Sequence, residues 1–341
     1  MSNGDDVDRR SHVAIAEDVA RIAKVSLSAV SRAFTPGASV APKTRARILA
    51  AADQVGYRPN QIARSLMRGR SNMVGVGVGN LANPFLSAAL DELTLKLTRA
   101  SLRVLLFTTT DASFVEAPID EILQYRLDAL VLLAAAPSES LLDECARAQV
   151  PVVLFNRRGG PESLASGVSG DNEGGGRSIA AFLAAGKHKR FAYIAGIEAS
   201  QASRERGKGY CDFLLQHGHG EPLVELGNHT YDGAAAATRR LLLRTDPPDA
   251  IFCANDLMAV ATIDVARSEF GHDIGRQLSV VGFDDIAMAK WPSFSLTTYA
   301  QSTAAMVDAT VTLVQNARVG GDPADRVIPG SLVIRGSARR P

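Results

Sequence analysis

Four polar residues stand where apolar runs of the chain stop: Asn80 after MVGVGVG, Asn156 after VPVVLF, Asn255 after AIFCA and Asp284 after LSVVGF. None is a nucleophile. Three amides and a carboxylate are hydrogen-bonding groups suited to the polar edges of a small molecule. A second set lies between positions 26 and 32: Ser26, Leu27, Ser28, Ala29, Ser31 and Arg32. Short side chains let a backbone approach base edges, and an arginine beside them reaches guanine or phosphate. Catalytic spacings fail one by one. The glycines at 75, 77 and 79 sit inside an apolar run without the third glycine of GxGxxG, and GDNEGGGRS lacks the lysine of a phosphate-binding loop. GVSGDN is not GxSxG, and no HExxH occurs. His217 and His219 form an HxH with no third ligand, while Cys145, Cys211 and Cys253 form no CxxC. The sequence therefore predicts no enzyme, metal site, cofactor or disulfide.

The elements that must carry these residues follow from periodicity and charge. Residues 16–23 place Val19, Ile22 and Ala23 at helical spacing with Glu17 and Asp18 in the first turn. A short turn at Lys24 and Val25 leads to Ser26 as an N-cap and to a second helix with Val30 and Phe34 on one face. Two short helices joined this way match a helix-turn-helix. A third helix starts at Pro42 and carries a stripe of Ile48, Leu49, Ala52 and Val55, and a fourth, over about two turns, follows Asn60. Residues 9–70 hold 12 Lys and Arg against 3 Asp and Glu, and residues 71–341 hold 25 against 30. A +9 segment on a −5 body points to a polyanion such as nucleic acid. From residue 73 apolar runs of strand length alternate with helical stretches, which predicts parallel sheets covered on both faces and two doubly wound lobes dividing near SGVSGDN. Ligands in such sheets sit outside the strands' carboxyl ends, where the four polar residues stand.

DVARIAKVSLSAVSRAF and TRARILAAADQVGYRPNQIARSL resemble the DNA-binding headpiece of the lactose-repressor (LacI/GalR) transcription factors, and NPF at 83–85, SRERGKGY at 203–210, AND at 254–256 and VGFDD at 281–285 extend the resemblance over about 320 residues. The core motifs are also similar to periplasmic sugar-binding proteins, and the headpiece selects the repressors. The resemblance implies base contact by Leu27, Ser28 and Arg32 and backbone contact by Ser26, Ser31, Tyr57 and Asn60. It also implies a hinge helix whose Ala63 makes a close contact and whose Leu66 wedges a base step in the minor groove. In the core it implies an effector clamped by Arg206, with Asn255 and Asp284 on its polar groups, Asn80 and Phe85 in the first lobe, and Asn156 and His229 as further walls. Three departures stand out: Lys24 for a turn glycine, Ile15 for a capping threonine and Ala41 for a capping serine. Asn156 and His229 stand where carbohydrate binders often carry Asp and an aromatic, which opens the cleft to sugar acids or phosphates.

The expected organisation is a disordered tail (1–11), a headpiece (12–58), a hinge helix (59–70), a first lobe (71–168 with 301–328) and a second lobe (169–300 with 329–337). No apolar run reaches the ~20 residues of a membrane helix, and MSNGDDVDRR is acidic where a signal peptide is basic, so a cytoplasmic protein is expected, at the nucleoid when DNA-bound. The C-terminal residues show no leucine heptads, so a homodimer on a pseudo-palindromic double-stranded operator is expected. The alternative is a small-molecule binding protein with a weakly functional headpiece.

Overall fold

A computed structural model describes residues 14–35, 37–58, 70–108, 119–160 and 162–341. The chain divides into two compact units, Met1–Ser71 and Asn72–Pro341.

The first unit contains α1 (Ala16–Ala23), α2 (Leu27–Ala33) and α3 (Pro42–Val55). Its small core joins Val19, Ala23, Val30, Ala33, Ile48, Ala51 and Ala52. The stripe of α3 thus uses Ala51, whereas Leu49 is 40% exposed; 3.6-residue periodicity places 48, 51, 52 and 55 together. Arg45 donates to Ala33 O at 2.7 Å and Ala38 O at 3.1 Å, holding the α2–α3 connection. Lys24 takes a left-handed conformation, φ 50 and ψ 53, which costs a non-glycine residue about 1–2 kcal/mol. Ile15 offers no side-chain acceptor; its own N–H donates to Asp18 Oδ2 at 3.2 Å. Ala41 also caps nothing, although Pro42 fits the first helical position. Lys24→Gly is expected to stabilise the headpiece by about 0.5–1 kcal/mol after glycine's own entropic cost, read as a later first transition when the full-length protein is denatured in urea.

The second unit holds two six-stranded sheets. The first contains β1 (Met73–Val78), β2 (Arg103–Thr108), β3 (Ala129–Leu133), β4 (Val152–Phe155), β5 (Ala165–Gly170) and β11 (Asp325–Ile328), in the order β11-β5-β4-β3-β1-β2, all parallel. The second contains β6 (Phe191–Ala195), β7 (Leu223–Leu226), β8 (Ala250–Cys253), β9 (Ser279–Asp284), β10 (Thr297–Ala300) and β12 (Ser331–Val333), in the order β12-β10-β9-β8-β6-β7; only β12 is antiparallel. The chain passes between sheets after β5, after β10 and after β11. Helices α4 (Pro84–Arg99), α5 (Ile119–Gln124), α6 (Glu139–Arg147) and α11 (Thr303–Ala317) belong with the first sheet, and α7 (Asn172–Ala185), α8 (Gln201–Gln216), α9 (Tyr231–Leu242) and α10 (Asp256–Ser268) with the second.

The apolar runs MVGVGVG, LRVLLFTTT, LDALVLLAAA, VPVVLFN, RFAYIAG, PDAIFCAND and LSVVGFDD hold β1, β2, β3, β4, β6, β8 and β9. Five strands were not legible. In β5, ASGVSG is fully buried yet built from small residues, because the loop after β4 folds back over it: a Cβ on Gly167 would lie 2.7 Å from Arg157 O. The exposure of β7 alternates as an edge strand's does, and β10 reads TTYA because Thr297 and Thr298 are buried on hydrogen bonds. Strands β11 and β12 are too short to carry a pattern.

Candidate functional site

Each sheet runs 2-1-3-4-5 from its outer edge, so each has a switch point beside its first strand, between β1 and β3 and between β6 and β8. Both switch points open on one cavity of about 680 Å³, including its mouth. Asn80, Phe85, Asn156, Arg206, His229, Asn255 and Asp284 all line it. Asn80 follows β1 and its Oδ1 accepts from Ala82 N at 3.0 Å, so its side chain shapes the turn. Phe85, in the first turn of α4 behind the N-cap Asn83, stacks on Phe155 with centroids 6.1 Å apart and forms an apolar wall. Asn156 has a left-handed φ of 61 at the end of β4; its buried Oδ1 finds no hydrogen-bond partner among the described residues.

Arg206 lies in the second turn of α8, which starts at the N-cap Ser200. It is 2% exposed. Its depth follows from backbone contact between α7 and α8: a Cβ on Gly176 would lie 2.1 Å from Arg206 O, and one on Gly209 would lie 2.1 Å from Glu173 O. The glycines of NEGGGRS and RGKGY thus let two helices touch. The guanidinium is held on three sides: Nε donates to Asn172 Oδ1 at 2.9 Å, Nη1 donates to Ala254 O, and the plane lies 3.7 Å over the Phe283 ring. Asp284 Oδ1 is 3.5 Å from Nη1. Nη2 is buried with no partner among the described residues. A donor and an acceptor, Arg206 Nη2 and Asn156 Oδ1, therefore stand unmet in one cavity wall, each costing about 1–3 kcal/mol if left dry.

Burial sets the charges here. Desolvation lowers the guanidinium pKa of Arg206 against the pull of Asp284, and it raises Asp284 to about 6 although Arg206 and the Gln301 amide, donating at 2.8 Å, oppose it. His229 is lowered to about 4, first by burial and then by Arg206, so it is neutral at pH 7. Its Nδ1 faces Asn255 Nδ2 at 3.5 Å, which assigns the ring proton to Nε2. Gly196 makes room for it, since a Cβ there would lie 2.0 Å from the ring. Asn255 meanwhile caps α10, its Oδ1 accepting from Met258 N at 3.0 Å. These two shifts oppose each other in stability. Between pH 4 and 6.5 the unfolded chain binds the His229 proton and the native protein does not, so this group's contribution grows as pH rises; Asp284, protonated in the native state up to about 6, loses its contribution over the same range. His229→Gln is expected to remove a gain of about 3 kcal/mol between pH 4 and 6.5, so the variant's melting temperature should fall relative to wild type as pH is raised through that window.

Several residues of the site were missed by sequence reasoning. Asn172 orients Arg206, Gln301 binds Asp284, and Asn83, Ser200 and Asn228 join the cavity wall. Asn172 had a signal in the capping pattern of GDN, where Asp171 is the N-cap of α7. Gln301 had none, because it contacts the site from the connection after β10. His217 stacks on Phe213 with centroids 3.9 Å apart and His219 packs against Phe191. Cys145 and Cys253 are buried and Cys211 is half-buried.

In the headpiece, Ser26, Leu27, Ser28, Ser31 and Arg32 are all exposed on α2, opposite Val30 and Ala33. Leu27 is 46% exposed, an apolar group that the small core leaves outside. Ser26 Oγ accepts from Ala29 N at 3.3 Å and lies 3.0 Å from Ser28 Oγ. Tyr57 is half-buried, edge-on to Phe34 at 5.7 Å. Asn60, Ala63 and Leu66 lie outside the described residues.

Comparison with known proteins agrees with both halves. The description "Bacterial regulatory proteins, lacI family" matches residues 16–60, and "Periplasmic binding protein-like domain" matches 180–338. The HTH-type transcriptional regulator CelR of Thermobifida fusca is 32% identical over 332 residues, 94% of this chain and 97% of its own. The chain belongs to the LacI family of bacterial regulatory proteins. This LacI-family protein is similarly 29% identical to the transcriptional repressor CytR of Escherichia coli, over 97% of this chain and 98% of CytR. The structure of a CelR–cellobiose complex superposes with a TM-score of 0.70 at 30% identity, covering 95% and 99% of the two chains. The lac repressor dimer bound to operator and an anti-inducer shares the fold at TM-score 0.82 and 24% identity, covering 96% and 100%. As a LacI-family member the protein is a helix-turn-helix transcriptional regulator and not an enzyme. Among the described residues no helix is long and apolar enough to cross a membrane.

Proposed function

We propose that this regulator represses transcription as a homodimer on a pseudo-palindromic operator, and that a sugar or sugar derivative bound between the lobes controls its operator affinity. The unmet pair in the cavity carries the reading of the ligand. A hydroxyl can donate to Asn156 Oδ1 while a hydroxyl or ring oxygen accepts from Arg206 Nη2, beside the apolar face of Phe85. Among the described residues that line the cavity, Arg206 is the one lasting cation, and Asp284 already faces it. An uncharged polyhydroxylated ligand therefore matches better than a phosphate or sugar acid. That CelR was solved with cellobiose supports the same class.

In the headpiece, the exposed face of α2 supplies base contacts from Leu27, Ser28 and Arg32 and backbone contacts from Ser26 and Ser31, with Tyr57 and Asn60 on the phosphates. Residues 59–70 act as the hinge, with Ala63 and Leu66 at the minor groove. Closing the lobes on a ligand changes the spacing of the two hinges, and by linkage operator and effector alter one another's affinity by the same factor. One helix suits this coupling. Gln301, bonded to Asp284, precedes α11, and Arg318 at its far end donates to Asp128 at 2.6 Å and to Asn72 at 2.9 Å, where the core unit begins. The protein would act in the cytoplasm, at the nucleoid when bound. Thermal-shift measurement against mono- and disaccharides, cellobiose included, tests the ligand class: a stabilising sugar should also change operator affinity. Stabilisation with no effect on DNA, and no selective DNA binding at all, would favour the second reading, a ligand-binding protein whose headpiece is weakened at Ile15, Lys24 and Ala41.

A further inference from the structure

We propose that Arg158 and Glu205 form an ion-paired latch between the lobes, and that Glu205 positions the Arg206 guanidinium through Asn172. The loop after β4 belongs to the first lobe: Arg157 bridges to Val168 of β5, and Gly159 and Gly160 donate to the Asp325 carboxylate at 3.0 and 3.1 Å. From that loop Arg158 reaches across to α8 of the second lobe. Its backbone N–H donates to Gln201 Oε1 at 3.1 Å and its Nη2 donates to Glu205 Oε1. The other carboxylate oxygen, Oε2, accepts from Asn172 Nδ2 at 3.0 Å, and Asn172 Oδ1 accepts from Arg206 Nε at 2.9 Å.

The consequence is directional. An asparagine amide can point either end at a partner, and the carboxylate of Glu205 accepts only, so it fixes the Asn172 amide with its NH2 toward Glu205 and its oxygen toward Arg206. That oxygen holds Nε and so sets the plane of the guanidinium, the unmet Nη2 included. The Glu205 side chain is only 14% exposed, whereas that of Arg158 is 40% exposed. Opening the lobes would part Arg158 from Glu205 and leave the inner half of the chain, Glu205–Asn172–Arg206, on the second lobe. Arg158 is thus the member that senses closure, and Glu205 and Asn172 are positioning residues for the clamp. The proposal rests on reading Arg206 as the effector clamp, but its test needs no effector.

The test uses full-length, ligand-free protein. Hydrogen exchange follows the Arg158 amide, and the ¹H–¹⁵N signal of Arg206 Nε, assigned by its loss in Arg206→Lys, follows the clamp. Arg158→Ala and Glu205→Ala should each speed exchange of the backbone amide at position 158 by about 3- to 10-fold, with the double variant no faster than either single one. The Arg206 signal should move strongly in Asn172→Ala and Glu205→Ala and little in Arg158→Ala. The charge-swapped pair Arg158→Glu with Glu205→Arg should restore protection of the loop yet leave the Arg206 signal displaced, because an arginine cannot accept from Asn172 Nδ2. Glu205→Gln, which keeps the shape and an acceptor, should leave the Arg206 signal nearly in place while losing the loop protection. Additive effects of the two alanines, no rescue by the swap, or an Arg206 signal indifferent to Glu205→Ala would overturn the proposal. A sugar screen without hits would count against the effector reading alone and leave these results standing.

Discussion

Arg206→Ala is expected to weaken effector binding by about 2–4 kcal/mol, roughly 30- to 900-fold, while ligand-free operator affinity stays within about threefold. The loss has two sources. The guanidinium of this cavity-lining residue carries the unmet donor, and it is the only partner of opposite charge that the described residues bring near Asp284. Without it, only the Gln301 amide opposes burial on a carboxyl already raised to about 6, so Asp284 shifts further toward its neutral form and becomes a poorer acceptor for a ligand hydroxyl. Arg206→Met loses the guanidinium over Phe283 but keeps most of the aliphatic stem, and so controls for lost packing. Titration calorimetry with a sugar from the thermal screen, beside anisotropy on operator DNA, measures both quantities. A variant that loses both affinities equally would contradict the separation of the cleft from the DNA-reading face.

Asp256→Ala is expected to destabilise the core by about 3–5 kcal/mol, or about 10 °C in melting temperature. Asp256 is the first residue of α10 and is fully buried, Oδ1 accepting from Thr298 Oγ1 at 2.6 Å and Oδ2 from Ile286 N at 2.9 Å. Burial, with Asp284 close by, pushes its carboxyl well above the usual range although both hydrogen bonds oppose this. It joins β10 to the turn after β9 and so supports the strand end that presents Asp284. A Cβ on Gly282 would lie 2.1 Å from Oδ1, so the glycine of VGFDD is there for this carboxylate. Removing the side chain strands a buried N–H and a hydroxyl at once. Asp256→Asn, which retains one acceptor, should cost less than half as much in calorimetry.

Much of this architecture could be read in the residues, for reasons particular to them. β-branched and apolar runs such as ALVLL have no alternative to a strand buried on both faces, and Ser26 can begin a helix only by capping it. The polar residues that end such runs lie at carboxyl ends by construction, which is why Asn80, Asn156, Asn255 and Asp284 meet in one cavity. What stayed hidden depends on contacts distant in sequence. Arg206 was found only by its resemblance to a family motif, since a helix interior gives no sign that its neighbour is Asn172 or that glycines let it sink. Gln301 reaches the site from the connection after β10, and Arg158 reaches α8 from the loop after β4, where neither periodicity nor capping leaves a trace. Lys24 shows the reverse case, a left-handed turn held against local preference between two helices that share one small core.

Under the proposed function, a basic headpiece reads a specific operator under control of the core. Retention of genomic fragments by the purified full-length protein at physiological salt, followed by sequencing, tests it most directly. Enrichment of one pseudo-palindrome with a pyrimidine–purine step at its centre, the step an apolar wedge opens most readily, is expected, with release of those fragments by a sugar that stabilises the core. Fragments retained without sequence preference would contradict it.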